Sequence, residues 1–388
     1  MVGEVFPVEE IDEYGQPWVS KSWLNEAEGT CRSHSMALEA SEMEYVTRMQ
    51  QYESVKFAIT ITENLAMLTL SIIAISLLTG IFYQAVSEAL DRRRHPPQGE
   101  LVDIGGFRLH LNCIGQGITT VVMDAGGGAP SITWGLVPSE IAKFTRVCTY
   151  DRAGLGWSDP NPGSSRTSQQ NVDELHSLLT KAGINPPYIL VGHSLGGVNM
   201  RLYASQYPED VIGLVLVDSS HENQMTSEMW RRIKMQSWLY QVLRVVSQVG
   251  VLRLIGEMNL LPILEDIKRE IQKYPLAVQT LFDTYKTFCY RPDYWATTSS
   301  ELANIKKSFE EVQSVRSLGS LPLIVLSQGS KDSKMSDERF QKWASLQLDL
   351  TKLSSNSQRI IAENSGHLVQ LDQPELVVSA VQQLIESV

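Results

Sequence analysis

Residues 188–197 read Tyr188-Ile189-Leu190-Val191-Gly192-His193-Ser194-Leu195-Gly196-Gly197. Four apolar positions form a short run suited to a strand buried on both faces. The run passes through Gly192 into Ser194, and a helical stretch opens behind Gly196 and Gly197. A serine on a tight strand-to-helix turn is the nucleophile-elbow pattern G-x-S-x-G in the context it requires. The glycines allow close backbone approach, and the positive end of the following helix favours negative charge developing at Ser194.

Outward from this turn the chain alternates. Short β-branched runs at 119–124, 146–150, 211–217, 323–327 and 359–362 accompany 188–191, with helical patterns between most of them. That alternation predicts an α/β fold with a mostly parallel, doubly wound sheet. Segments 101–104 and 107–113, joined by Gly105-Gly106, predict an antiparallel hairpin at its start. Thr167 or Ser168 is placed to cap a helix that stops at Gly183, and Pro374 suits the first turn of a terminal helix. Between 221 and 318 the alternation gives way to amphipathic helical pattern. This reads as a helical cap inserted between core segments 101–220 and 319–388, its aromatics mostly packing residues.

A serine hydroxyl needs a base to take its proton. Among seven histidines, His367 is best placed, in Glu363-Asn364-Ser365-Gly366-His367 between the last strand and the terminal helix. His193 reads as structural because its side chain diverges from that of Ser194, and His221 as a loop residue. The base needs a carboxylate to hold its tautomer. Asp332, in Gly329-Ser330-Lys331-Asp332, satisfies the chain order Ser, Asp, His; Asp218, at the end of the 211–217 strand, is the rival. Two backbone N–H donors for an oxyanion are expected at Leu195 and at Gly127 within Ala125-Gly126-Gly127-Gly128. The glycine-rich stretch 150–158 lacks a phosphate-binding arrangement and reads as a turn held by Asp151 and Arg152.

Together these stretches resemble the α/β-hydrolase superfamily over residues 101–388: DAGGG, YDRAGLGWSDP, GHSLGG, GSKD and SGHLVQLDQP occur in order. The resemblance implies Ser194 as nucleophile, His367 as base, Asp332 as acid, and oxyanion donors at Gly127 and Leu195. Ala125 stands where many members have histidine. A serine at the elbow separates the chain from relatives resembling haloalkane dehalogenases and epoxide hydrolases, which carry aspartate. The implied chemistry is carboxylic ester cleavage through an acyl-enzyme. A proline-type aminopeptidase or amidase is the runner-up, because YDRAGLGWSDP is similar to a segment of those enzymes. Acyl transfer and a non-catalytic binding protein on the same fold are the other readings.

Composition narrows the partners. The 388 residues carry 44 acidic and 33 basic side chains, a net charge of −11, which gives no footprint for a nucleic-acid backbone. Four scattered cysteines suggest neither a disulfide framework nor a zinc cluster, so no metal or cofactor is expected. Residues 1–55 are acidic and read as mostly disordered, with a helical stretch expected near 41–53. Residues 65–83, within a helix expected at 58–84, carry no charge across nineteen positions, close to the length that crosses about 30 Å of hydrocarbon. Ten Leu, Ile and Phe at roughly −0.5 kcal/mol each favour insertion by about 5 kcal/mol. A single-pass anchor follows, with a basic, proline-containing linker at 85–100. Arg92, Arg93 and Arg94 place the catalytic domain on the cytoplasmic side by the positive-inside rule. An anchor beside an aromatic cap points to small-molecule or lipid-like esters as substrates.

Overall fold

The computed structural model describes residues 8–11, 17–25, 30–37, 40–161, 163, 165–331 and 335–387. The chain divides into two compact units, residues 1–77 and 78–388. The first holds strands β1 (Val8–Ile11), β2 (Pro17–Asn25) and β3 (Thr30–Ala37), paired antiparallel in that order. Over these three strands the structure differs from the disorder expected for residues 1–55. The acidic residues that suggest disorder are unevenly spread: β1 carries Glu9 and Glu10, but Pro17–Asn25 and Thr30–Ala37 contain no Asp or Glu. Backbone pairing there meets little like-charge repulsion.

Helix α1 (Ala40–Arg94) begins in this unit and ends in the other. It is long and apolar enough to cross a membrane, with its apolar window unburied. It also overruns the expected linker, because residues 85–94 contain neither Gly nor Pro and the first breaker is Pro96.

Beyond α1 lie strands β4 (Glu100–Asp103), β5 (Arg108–Ile114), β6 (Thr120–Asp124), β7 (Arg146–Tyr150), β8 (Tyr188–His193), β9 (Val211–Val217), β10 (Leu323–Gln328) and β11 (Ser357–Ala362). They form one sheet in the order β11-β10-β9-β8-β6-β7-β5-β4. All neighbours are parallel except β4–β5 and β5–β7. The expected hairpin is present, with Gly105 and Gly106 both at positive φ.

The β8 run shows why the sheet is central. Leu190 packs on one face with α3 (Ser168–Lys181) and α4 (Leu195–Gln206), while Ile189 and Val191 pack on the other with α2 (Val137–Ile141) and α13 (Pro374–Glu386). Alternation with period two thus feeds two cores. Thr167 caps α3 by accepting from Gln170 N, and Pro374 opens α13.

Six helices lie between β9 and β10: α5 (Ser227–Gln248), α6 (Val251–Glu257), α7 (Pro262–Ile271), α8 (Leu276–Cys289), α9 (Pro292–Ala303) and α10 (Ile305–Gln313). Phe288, Cys289 and Tyr294 build a separate small core with Leu155. The last helix differs from a cap element. Ile305, Phe309 and Val312 of α10 join the core that contains Leu190 and Val198, so the insertion returns to the main body before residue 318. After β10 come α11 (Asp337–Leu350) and the single turn α12 (Val369–Asp372).

Candidate active site

Ser194 sits between β8 and α4 at φ 51° and ψ −117°, a conformation L-residues adopt at a cost of about 1–3 kcal/mol. Its backbone is tied from three directions. Its N–H donates to Val217 O at 3.2 Å, and its carbonyl accepts from Gly197 N at 3.1 Å and Ser220 N at 3.0 Å. The glycines around it leave no room for a side chain. A Cβ at Gly196 would lie 2.2 Å from Asp124 O, and one at Gly192 2.5 Å from Gly196 O. Backbone, not a flexible side chain, is the obstacle, so the elbow requires glycine at both positions.

His367 follows β11 on a loop held at both ends. Ser365 O accepts from Gly329 N and Ser330 N, and Gly366 N donates to Asp372. His193 Nε2–H donates to the His367 carbonyl at 2.9 Å. Burial first, and then the nearby His367, lower the His193 pKa to about 3, which keeps it neutral. The structural role expected of His193 is therefore to fix the backbone of the candidate base.

The carboxylate that meets this base is Asp218, whose Oδ2 accepts from His367 Nδ1–H at 2.6 Å. Asp218 ends β9 at φ 38° and is fully buried. Its Oδ1 accepts from Gln328 N at 3.0 Å and Trp343 Nε1 at 2.8 Å. Asp332, the expected acid, lies outside the described residues; it is its rival Asp218 that makes this contact. In this sheet the β9 end lies between the β8 elbow and the β10 end, so its carboxylate reaches the imidazole without a loop.

Two participants lay beyond the sequence reading. Trp343 of α11 holds Asp218 and sets its ring edgewise to His367, centroids 6.1 Å apart. No motif surrounds it, so only the folded chain reveals it. Arg152, read as a turn residue, grips the glycine loop instead. It donates to Ala125 O at 2.7 Å and Gly126 O at 2.6 Å while paired with Asp124 at 2.6 Å and Glu301 at 2.7 Å. Burial lowers its pKa, but the Glu301 and Asp124 carboxylates outweigh that and raise it. Glu301 also accepts from Gly128 N at 2.7 Å. The turn reading does hold for Asp151, which accepts from Ser131 N and Trp157 N and pairs with buried His110.

The loop so clamped lies against the elbow. A Cβ at Gly126 would be 3.4 Å from Ser194 Cβ, and one at Gly127 would be 3.4 Å from Leu195 Cδ2. No hydrogen bond to the Gly127 or Leu195 N–H is seen among the described residues. His221 stands apart, buried, with Nδ1 accepting from Asn223 N. No group of three or more His, Cys, Asp or Glu placed to hold a metal occurs among the described residues.

Ser194 and His367 open into one cleft of about 1180 Å³. Its wall includes Met229, Tyr274, Trp343 and Leu346, and cations such as Lys273 and Arg339 line it too. The aromatics of α8 and α9 do not line it; they pack on one another and on Leu155, Trp157 and Tyr240.

The sequence profile described as the alpha/beta hydrolase family matches residues 121–380, more than half of the chain. The chain belongs to the alpha/beta hydrolase family. The uncharacterised YqjL of Bacillus subtilis is 30% identical to this hydrolase over 267 residues, 69% of this chain and 83% of that protein. A Gibberella zeae protein named for the AB hydrolase superfamily is 25% identical over 296 residues, 69% of this chain and 86% of its own length. Among solved structures, a thermophilic esterase from Thermogutta terrifontis superposes with a TM-score of 0.54 at 20% identity, covering 74% of this chain and 97% of the esterase. At that identity the likeness concerns the fold.

Proposed function

We propose that this protein is a serine hydrolase that cleaves a carboxylic ester through an acyl-enzyme on Ser194. The observation that carries the reading is the 2.6 Å contact between His367 Nδ1 and Asp218, with Ser194 and His367 facing the same cleft. Asp218 holds the His367 tautomer in which Nε2 is free to accept a proton. His367 takes the Ser194 proton as the hydroxyl oxygen attacks the ester carbonyl, and returns it to the departing alcohol. Water then attacks the acyl carbonyl with His367 again as base, and Ser194 leaves with the proton. Leu195 N–H and Gly127 N–H are the proposed oxyanion donors, the second positioned by the Arg152 clamp.

The mixed wall of the cleft suits an amphiphilic ester: apolar Met229, Leu346 and Trp343 for an acyl chain, and a rim of both charges, Arg339 and Lys342 with Glu228 and Glu338, for a polar head. Helix α1 is proposed as a single-pass anchor through residues 65–83. On sidedness the structure adds an observation that opposes the arginine count. Cys113 and Cys148, register partners on β5 and β7, form a disulfide, a bond characteristic of oxidising compartments. We therefore place the catalytic domain on the non-cytoplasmic side, reversing the expectation from Arg92–Arg94. Protease protection in sealed, right-side-out vesicles tests this; a protected domain refutes it.

The test of activity is labelling of the full chain by a fluorophosphonate, beside Ser194→Ala and His367→Ala, followed by ester and aminoacyl-amide panels. Labelling lost in both variants supports the acyl-enzyme. A folded protein that neither labels nor hydrolyses esters refutes it and favours the binding-protein reading, while turnover of amides alone favours the amidase.

A further inference from the structure

Helix α5 carries Met235, Trp238, Leu239, Val242 and Val245 at spacings that form one stripe. Such a stripe ordinarily faces a core. Here all five are exposed, Trp238 by 68% and Val245 by 59%. The chain bends by 86° after α5, and on α6 and just beyond it Val251, Leu254, Met258 and Leu260 are exposed as well. The opposite faces are engaged by the rest of the fold. Ser237 and Gln241 bond to Ser299 of α9, while Leu252, Arg253 and Gly256 turn inward.

What lies beside the bend indicates what covers this face. Gly80 of α1 touches it backbone to backbone: a Cβ at Gly80 would sit 2.2 Å from Val249 O, and one at Gly250 2.8 Å from Gly80 O. Below that contact, buried Arg253 pairs with Asp91 at 2.6 Å, and Gln84 donates to Tyr290 O at 2.8 Å. These bonds set the level of the bend along α1. Gly80 lies three residues before Tyr83, where the apolar run gives way to Gln84, so at 1.5 Å per residue the bend sits about 4.5 Å inside the apolar zone.

We infer that the outer faces of α5 and α6 form a second membrane-contacting surface, seated in the same bilayer leaflet that α1 enters. The inference rests on the anchor reading of α1. Interfacial helices bury an apolar face by about 5–10 Å, and the bend, about 4.5 Å deep at its backbone, lies close to the shallow end of that range. Trp238 has the character of an interfacial anchor, and exposed Arg231 and Lys234 near the start of α5 suit lipid phosphates. Met229 and Arg232 of the same helix line the catalytic cleft. An amphiphilic ester therefore has a path from leaflet to cleft along α5.

The test uses the full chain in phosphatidylcholine vesicles containing a diazirine-bearing phosphatidylcholine, with photolabelled peptides mapped by mass spectrometry. Lipid adducts are expected both in residues 65–83 and in residues 235–260. Adducts in 65–83 alone overturn this inference and leave the anchor standing. Adducts in neither overturn the anchor reading itself. Cross-links from 235–260 to a second copy, without lipid adducts, assign the face to self-association and also overturn it. In Trp238→Glu, KM for an ester carried in vesicles is expected to rise about tenfold with kinetics on a water-soluble ester unchanged. An unchanged KM in vesicles would count against the path from leaflet to cleft.

Discussion

Replacing Asp218 by asparagine probes the proposed site most directly, because the two carboxylate oxygens have different partners. Oδ1 is held by two donors, Gln328 N and Trp343 Nε1, and Oδ2 by His367 Nδ1. In Asp218→Asn the amide oxygen is expected to keep the two-donor position, which turns the NH2 toward His367. Two donors then face each other unless the imidazole moves its proton to Nε2, where it can no longer accept from Ser194. A wrong-tautomer base of this kind costs about 10⁴ in kcat, or about 5 kcal/mol of barrier. The side chain keeps its size and two of its three bonds, so the fold should persist. The assay is kcat on a chromogenic ester, with fluorophosphonate labelling rate and thermal unfolding on the same preparation. Asp332→Asn, run in parallel, is expected to retain wild-type kcat. Asp218→Asn activity within tenfold of wild type, or an equal loss in Asp332→Asn, would refute the assignment of the acid.

Three further outcomes follow from the geometry. Arg152→Met leaves Asp124 and Glu301 buried without their cation and should cost about 3–5 kcal/mol in denaturant unfolding; a change under about 1 kcal/mol would show the clamp to be dispensable. Neutral, buried His193, with its pKa near 3, binds no proton in the folded state where the unfolded histidine begins to do so below about 6.5. Its contribution is complete above that pH and falls away toward pH 3 by at most about 1.4 kcal/mol per unit. His193→Gln should therefore flatten unfolding free energy between pH 6.5 and 4, and an unaltered slope would contradict the shift. The Cys113–Cys148 bond closes a separation of 35 residues, for which loop entropy suggests up to about 4 kcal/mol. Cys113→Ser should lower the melting temperature in non-reducing buffer, and equal melting with wild type would refute a structural role.

The sequence by itself determined the features that depend on near neighbours. The strand-to-helix turn at Ser194 is legible because Gly192 and Gly196 are demanded by backbone atoms only a few residues or one strand away. The six parallel strands are legible because burial on both faces leaves β-branched runs. The charge-free run of α1 is legible for the same kind of reason, since the proposed passage through hydrocarbon would leave no position where charge is tolerated.

Charge averaged over a segment hides β2 and β3, acid-free runs within an acidic region. Tertiary structure decided the rest. Asp218 and Asp332 are both carboxylates near strand ends with the chain order Ser, Asp, His, and nothing local separates them. The choice depends on which carboxylate finds His367 across 149 residues of chain, with Trp343 brought in from a helix without any motif. Arg152 likewise pairs with Glu301 across 149 residues. Periodicity reports the face a residue buries, but a hydrogen bond between distant segments exists only after both cores have packed, and packing is a property of the whole sheet.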